Sequence, residues 1–145
     1  MRTINIFLVL MLIAVSTASF STTKKPSKLL VGTWNVESVD LSEMMSALPE
    51  DQREMYQVMK PMMEDLFKSM VMTFKKDGTM NTKITFMDEE SSDDGTWALS
   101  TDGKTITSTA NGNSNEIKII EMSKLTMKIS LEAEGMKIGL DLKKK

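Results

Sequence analysis

The stretch Leu29-Leu30-Val31-Gly32-Thr33-Trp34-Asn35-Val36-Glu37-Ser38-Val39 decides the fold. From Gly32 onward large apolar side chains alternate with polar ones, the period of a strand with one face on a core and the other in water. The alternation predicts Trp34, Val36 and Ser38 on one face and Thr33, Asn35 and Glu37 on the other. A glycine two residues ahead of an indole permits close backbone approach, or a sharp bend where the strand begins to curl. A strand of this kind opens a small barrel.

Working outward, the chain has 145 residues, enough for one core and too few for two. Charged residues make up 26% and the formal charge is −2, so the basic footprint of a nucleic-acid binder is missing and no nucleic-acid partner is expected. The absence of cysteine and histidine removes thiolate nucleophiles, disulfides, the usual zinc sites and every imidazole-dependent triad. Neither an enzymatic activity nor a cofactor is expected. Fifteen methionines are a heavy load, and methionine fills irregular apolar space without fixing one shape.

Residues 1–18 have the features of a signal peptide: Arg2, an apolar run from Ile4 to Val15, and the small exit Ser16-Thr17-Ala18. The run is short beside the roughly 20 residues of a membrane span, so no integral membrane segment is expected after its removal. No cysteine follows it, so the expected location is secreted or periplasmic without a lipid anchor. Residues 19–28 lack periodicity and are expected to be a disordered polar lead-in to a domain over 29–145.

Beyond the first strand the period changes. Met55, Val58, Met59, Met62, Met63, Leu66, Phe67 and Met70 recur three and four apart, with Gln57, Lys60, Glu64, Asp65 and Lys68 opposite. This predicts an amphipathic helical segment over about 42–70 whose apolar stripe must dock on something. A short first turn is expected from Leu41 with Ser42 as N-cap, then a second start at Pro49, Glu50 and Asp51. Pro61 predicts a kink or a break into two pieces.

The period then returns to two, interrupted by Asp77-Gly78, Asp102-Gly103, Asn111-Gly112-Asn113, Met122-Ser123 and Glu134-Gly135. Asp-Gly and Asn-Gly supply the positive φ of tight hairpins, which join antiparallel neighbours. Strands are predicted over about 70–75, 79–87, 95–100, 104–110, 115–121, 124–131 and 136–142. With the first they make an antiparallel meander with one apolar face, which closes into an eight-stranded up-and-down barrel carrying a helical insertion between strands one and two. A β-sandwich is the alternative. The run Asp88-Glu89-Glu90-Ser91-Ser92-Asp93-Asp94 lacks the ligand spacing of a calcium loop and is expected to be a solvated hairpin loop, with no metal.

The order of these features resembles the small secreted bacterial lipocalin-like, or calycin-type, proteins. The resemblance rests on Gly32-Thr33-Trp34, Lys76-Asp77-Gly78-Thr79, Gly95-Thr96-Trp97-Ala98-Leu99-Ser100 and Leu125-Thr126-Met127-Lys128-Ile129. Two departures stand out. Larger lipocalins pair the first-strand tryptophan with a late arginine, whereas the only arginines here are Arg2 and Arg53, so Trp34 must be covered by something else. The helical insertion is similar to the lid of intracellular fatty-acid-binding proteins.

The resemblance implies a binder of an apolar or amphipathic small molecule held inside a barrel under a Met-rich lid. The expected lining is Trp34, Val36, Ser38, Met55, Met59, Met62, Met63, Phe67, Met72, Phe74, Thr82, Ile84, Phe86, Trp97, Ser108 and Met127. In it Ser38, Thr82 and Ser108 would orient a polar end of the guest. Two alternatives remain: the Met face docks on a protein partner, or the barrel is packed shut and holds no ligand.

Overall fold

The protein is described here by a computed structural model covering residues 25–145. The leader expected over 1–18, and the lead-in up to residue 24, lie outside the described residues. Among the described residues there are three helices: α1 (Pro26–Leu30), α2 (Ser42–Ala47) and α3 (Glu50–Lys68). The strands are β1 (Gly32–Asp40), β2 (Val71–Phe74), β3 (Thr79–Phe86), β4 (Glu89–Leu99), β5 (Thr105–Ala110), β6 (Asn113–Met122), β7 (Thr126–Ala133) and β8 (Met136–Lys144). Each pairs antiparallel with the next, and β8 returns to β1, so the sheet closes into a barrel and not a sandwich.

Turn chemistry sets the meander. Asn111-Gly112 and Glu134-Gly135 take positive φ at both positions and join β5 to β6 and β7 to β8. Met87 and Asp88 do the same, with φ of 51° and 65°, without any glycine. The acidic run expected to be a loop is therefore mostly strand β4. Its side chains pair across to β3: Lys83 meets Glu90 at 3.0 Å, and the Asn81 amide donates to Ser92 Oγ and Asp94 Oδ1, each at 2.8 Å. These bridges offset the repulsion among neighbouring carboxylates and hold the run extended.

One end of the barrel is sealed. The expected lead-in is helical from Pro26, because α1 drops Leu30 into the core, where Leu30, Trp34 and Ile106 are all fully buried. The Trp34 indole donates to the Leu30 carbonyl at 2.7 Å, which satisfies both polar groups where water cannot reach. Lys144 covers the indole. Its Nζ stands 4.9 Å from the ring centroid and donates to the Leu29 carbonyl at 2.6 Å. The lysine stem crosses directly over Gly32, where a Cβ would lie 2.6 Å from Lys144 Cε and the backbone φ is +139°. Gly32 is required on both counts. Around this seal pack Phe74, Met72, Ile129, Leu140 and Leu142.

The other end is built differently, because β2 is short. β1 pairs with β2 only over Gly32–Asn35, and β3 pairs with β2 only over Met80–Lys83. Beyond those points β1 and β3 have no strand between them, and α3 packs against both. Ser69, just past α3, accepts the Thr85 amide at 3.1 Å and keeps β3 beside the helix. α3 runs through Pro61 as one continuous helix, so the expected break does not occur. α2 packs on β8 and buries Met44.

Replacing Trp34 by Phe should cost about 2–4 kcal/mol of stability, since it keeps one aromatic ring but empties the space of the five-membered ring and strands the buried Leu30 carbonyl. Urea unfolding checks it, and a double-mutant cycle of Trp34→Leu with Lys144→Leu, in which no aromatic face is left under the ammonium, should give a favourable coupling of about 0.5–2 kcal/mol. Additive losses would mean that Lys144 does not act on the indole. A second expectation concerns acid. The Thr79 hydroxyl and amide hold Asp77 below its ordinary 3.8, and the Ser100 hydroxyl and Lys104 amide do the same for Asp102. Each contribution is full above that ordinary value and is lost as pH falls through the lower folded value. An Asp77→Asn/Asp102→Asn variant should lose less stability on acidification below pH 3.8 than the parent does.

Candidate functional site

The open end is organised by a bulge in β1. The register with β8 passes from Val36 opposite Leu142 to Ser38 opposite Asp141, so Glu37 is the extra residue. A bulge inserts one residue and reverses the facing of everything after it. Ser38, expected inside, is therefore exposed, and its hydroxyl donates to Asp141 Oδ2 at 2.7 Å on the outer surface. Val39 takes the inward place and packs against the core.

Past Val39 the chain turns into the helices. The Asp40 carboxylate accepts the Ser42 amide at 2.9 Å and starts α2, so Ser42 is the first helical residue and not the cap. The Ser42 side chain and then its backbone amide hold Asp40 below its ordinary carboxylate value. Arg53 fixes the corner between α2 and α3 by donating to the Leu48 and Ser46 carbonyls, at 3.1 Å and 3.4 Å. Between β1, α2 and the first half of α3 lies a cleft of about 710 Å³, open to solvent. Val39, Leu41 and Met45 give it apolar surface, and Asp40, Ser42, Ser46, Arg53, Gln57 and Lys60 polar surface, with the Asp40 carboxylate engaged by the Ser42 amide.

The phase of α3 explains the polar wall. Phe67 packs on the barrel core, and residues three, seven and ten positions earlier share its face. Those residues are Glu64, Lys60 and Gln57, with Lys60 and Glu64 paired at 3.7 Å. The helix thus turns charge toward the cleft. Its thioethers turn away: Met55, Met59 and Met62 are exposed, as is Val58 beside them, and no residue of α3 is fully buried. The expectation that the Met face docks on the barrel holds only near the last turns, where Met63, Leu66 and Phe67 are half-buried.

The residues expected to line one cavity fall into separate places. Trp34, Val36, Met72, Phe74 and Met127 are sealed in the core. Trp97 stands toward the sealed end, edge-on to Phe74 at 5.9 Å between centroids, with its indole donating to the Lys75 carbonyl at 3.0 Å. There it lines a second open cleft of about 610 Å³ with Ser27, Lys28, Val31 and Lys76. Thr82, Ile84 and Ser108 are half-buried, and Phe86 is exposed at the tip of β3. Register puts Thr82 level with Met72 and Ser108 level with Trp97, so these hydroxyls do face the interior.

The sequence reading missed Val39, Leu41, Met45, Arg53, Gln57 and Lys60. The isolated Arg53 was the available signal: the only arginine of the described residues, it sits on a helix beside carbonyls that need donors. Among the described residues no group of three or more Asp, Glu, His or Cys could hold a metal ion, and no helix is long and apolar enough to cross a membrane.

A family model described as a lipocalin-like domain matches residues 30–129, from the buried end of α1 to the middle of β7. No curated protein matches the chain. Among solved structures, As-p18, described as an extracellular fatty acid binding protein, is 10% identical over 81% of this chain and 97% of its own, with a TM-score of 0.44. The N57Q mutant of the fluorescent protein UnaG is 14% identical over 79% of this chain and 94% of its own, with a TM-score of 0.37.

The rotation of α3 is open to measurement. Phe67→Ala should cost about 2–3 kcal/mol, whereas Val58→Ala, at a position 82% exposed, should stay within about 0.5 kcal/mol. Equal costs in chemical denaturation would place the helix in a different rotation.

Proposed function

Because the chain belongs to the lipocalin-like domain family, we propose that it binds an amphipathic small molecule at the helix-covered end of its barrel, without turning it over. The observation that carries the reading is the cleft beneath α3. Its volume of about 710 Å³ falls within the range of small-molecule sites, and apolar and polar groups meet there. An alkyl portion would rest on Val39, Leu41 and Met45. An anionic head would meet Arg53 and Lys60, whose guanidinium and ammonium form charge-assisted hydrogen bonds with a carboxylate, sulfonate or phosphate.

Burial supports this placement over one deep in the barrel. The sealed end, with Trp34, Leu30 and Ile106 fully buried, is packed by its own side chains. A guest there would displace well-packed core; a guest at the open end displaces water. Thr82 and Ile84 border the interior above that packing, and an alkyl chain reaching past Val39 would approach them, whereas Ser108 lies level with Trp97 toward the sealed end. Binding would be driven by apolar burial, with the cationic pair setting orientation. We also propose that the protein is exported, on the strength of the leader in residues 1–18.

The test compares dodecanoate with dodecanol as competitors of a fluorescent anilinonaphthalene sulfonate. The carboxylate should bind saturably, and an Arg53→Gln/Lys60→Gln variant should lose about tenfold in its affinity, about 1.4 kcal/mol, while the alcohol changes less than about threefold. Absence of saturable binding by either compound, or equal losses for both, would reject the reading.

A further inference from the structure

We propose that the outward face of α3 is a binding site for a soft monovalent metal ion of the copper(I) type, held by the thioethers of Met59, Met62 and Met63. Three observations carry it. The first is spacing. Residues at i, i+3 and i+4 of a helix are surface neighbours with Cβ atoms about 5–6 Å apart, and three rotatable side-chain bonds let methionine sulfurs converge on one point. Met55 stands one turn before Met59 on the same stripe and supplies a fourth sulfur within reach of the first.

The second is exposure. Met59 is 36% and Met62 40% exposed, Met63 is half-buried, and the barrel core includes none of them. The fold spends little of Met59 and Met62 on packing, and Met63 lies at the margin of the stripe, where the last turns of α3 meet the barrel. Helix propensity does not explain them either, since leucine and methionine form helices about equally well. What methionine has and leucine lacks is a polarisable sulfur.

The third is the rest of the donor set. The chain contains neither cysteine nor histidine, so no thiolate or imidazole competes for a soft ion. Thioethers select copper(I) over the hard divalent ions that carboxylates prefer. Neutral sulfurs leave the bound ion its single charge, and no electron or proton moves on binding.

The experiment uses the full chain under anaerobic conditions, with copper(I) presented by a chromophoric chelator and silver(I) as a diamagnetic substitute in NMR. One equivalent of silver(I) should shift the methyl resonances of Met59, Met62 and Met63. Met59→Leu/Met62→Leu/Met63→Leu keeps size and apolarity, so it should leave the unfolding midpoint unchanged while weakening copper(I) binding at least thirtyfold. Met87→Leu, altering a lone thioether 76% exposed on the β3–β4 turn, should change nothing. Undiminished affinity in the triple variant, absence of binding in the parent, or zinc(II) binding as tightly as copper(I) would overturn the proposal.

Discussion

The barrel depends on one contact, the sandwich of the Trp34 indole between α1 and the Lys144 side chain. Closing a sheet into a cylinder leaves two open ends and one seam, and this contact serves the seam and one of the ends. Trp34 lies directly across the seam from Lys144, so β1 and β8 meet where the indole enters the core. The same indole draws α1 over the opening by its hydrogen bond to Leu30, and the lysine holds α1 in place through Leu29. A cation over an aromatic face does what the late arginine does in larger lipocalins. Lysine can do it here because its ammonium also finds the part-buried Leu29 carbonyl, and Gly32 leaves room for its stem.

Sealing one end concentrates whatever openness the fold has at the other. The short β2 is the reason: four residues cannot keep β1 and β3 together over their full length, and a helix of nineteen takes over part of the wall. A helix packed on strand edges buries fewer side chains than a strand paired on both sides. α3 touches the core mainly through Phe67 and leaves a cleft under its first half. The sealed end supplies rigidity and the helical end supplies accessible surface, a division expected when binding elements are carried on a stable scaffold.

Much of this was legible in the sequence, and the failures share one cause. The eight strands and their antiparallel order followed from alternation plus Asp-Gly, Asn-Gly and Glu-Gly turns, and Trp34, Val36, Met72, Phe74 and Met127, expected to face the interior, are all buried. Phase is also where the reading broke. The bulge at Glu37 reverses Ser38 and Val39 without a glycine or any other local sign, because it answers to the pairing of β1 with β8 and not to β1 itself. The Met87-Asp88 turn lacks glycine, so an acidic strand looked like a loop. Periodicity likewise finds that α3 has two faces but not which one docks. That was decided at Phe67 and Ser69, where the helix must hand over to β2.

The rotation of α3 ties the two functional readings together. Had the thioether stripe faced the barrel, Arg53, Gln57 and Lys60 would face water and the cleft would be wholly apolar, suited to a hydrocarbon and indifferent to charge. With Phe67 fixing the opposite rotation, one helix carries a cationic wall over the barrel mouth and a sulfur-rich face toward solvent. The two faces recognise different chemistry, since guanidinium and ammonium groups repel metal cations while thioethers offer nothing to a carboxylate. A single amphipathic pattern in the sequence thus separates, once the helix is seated, into two surfaces that do not compete for the same ligand.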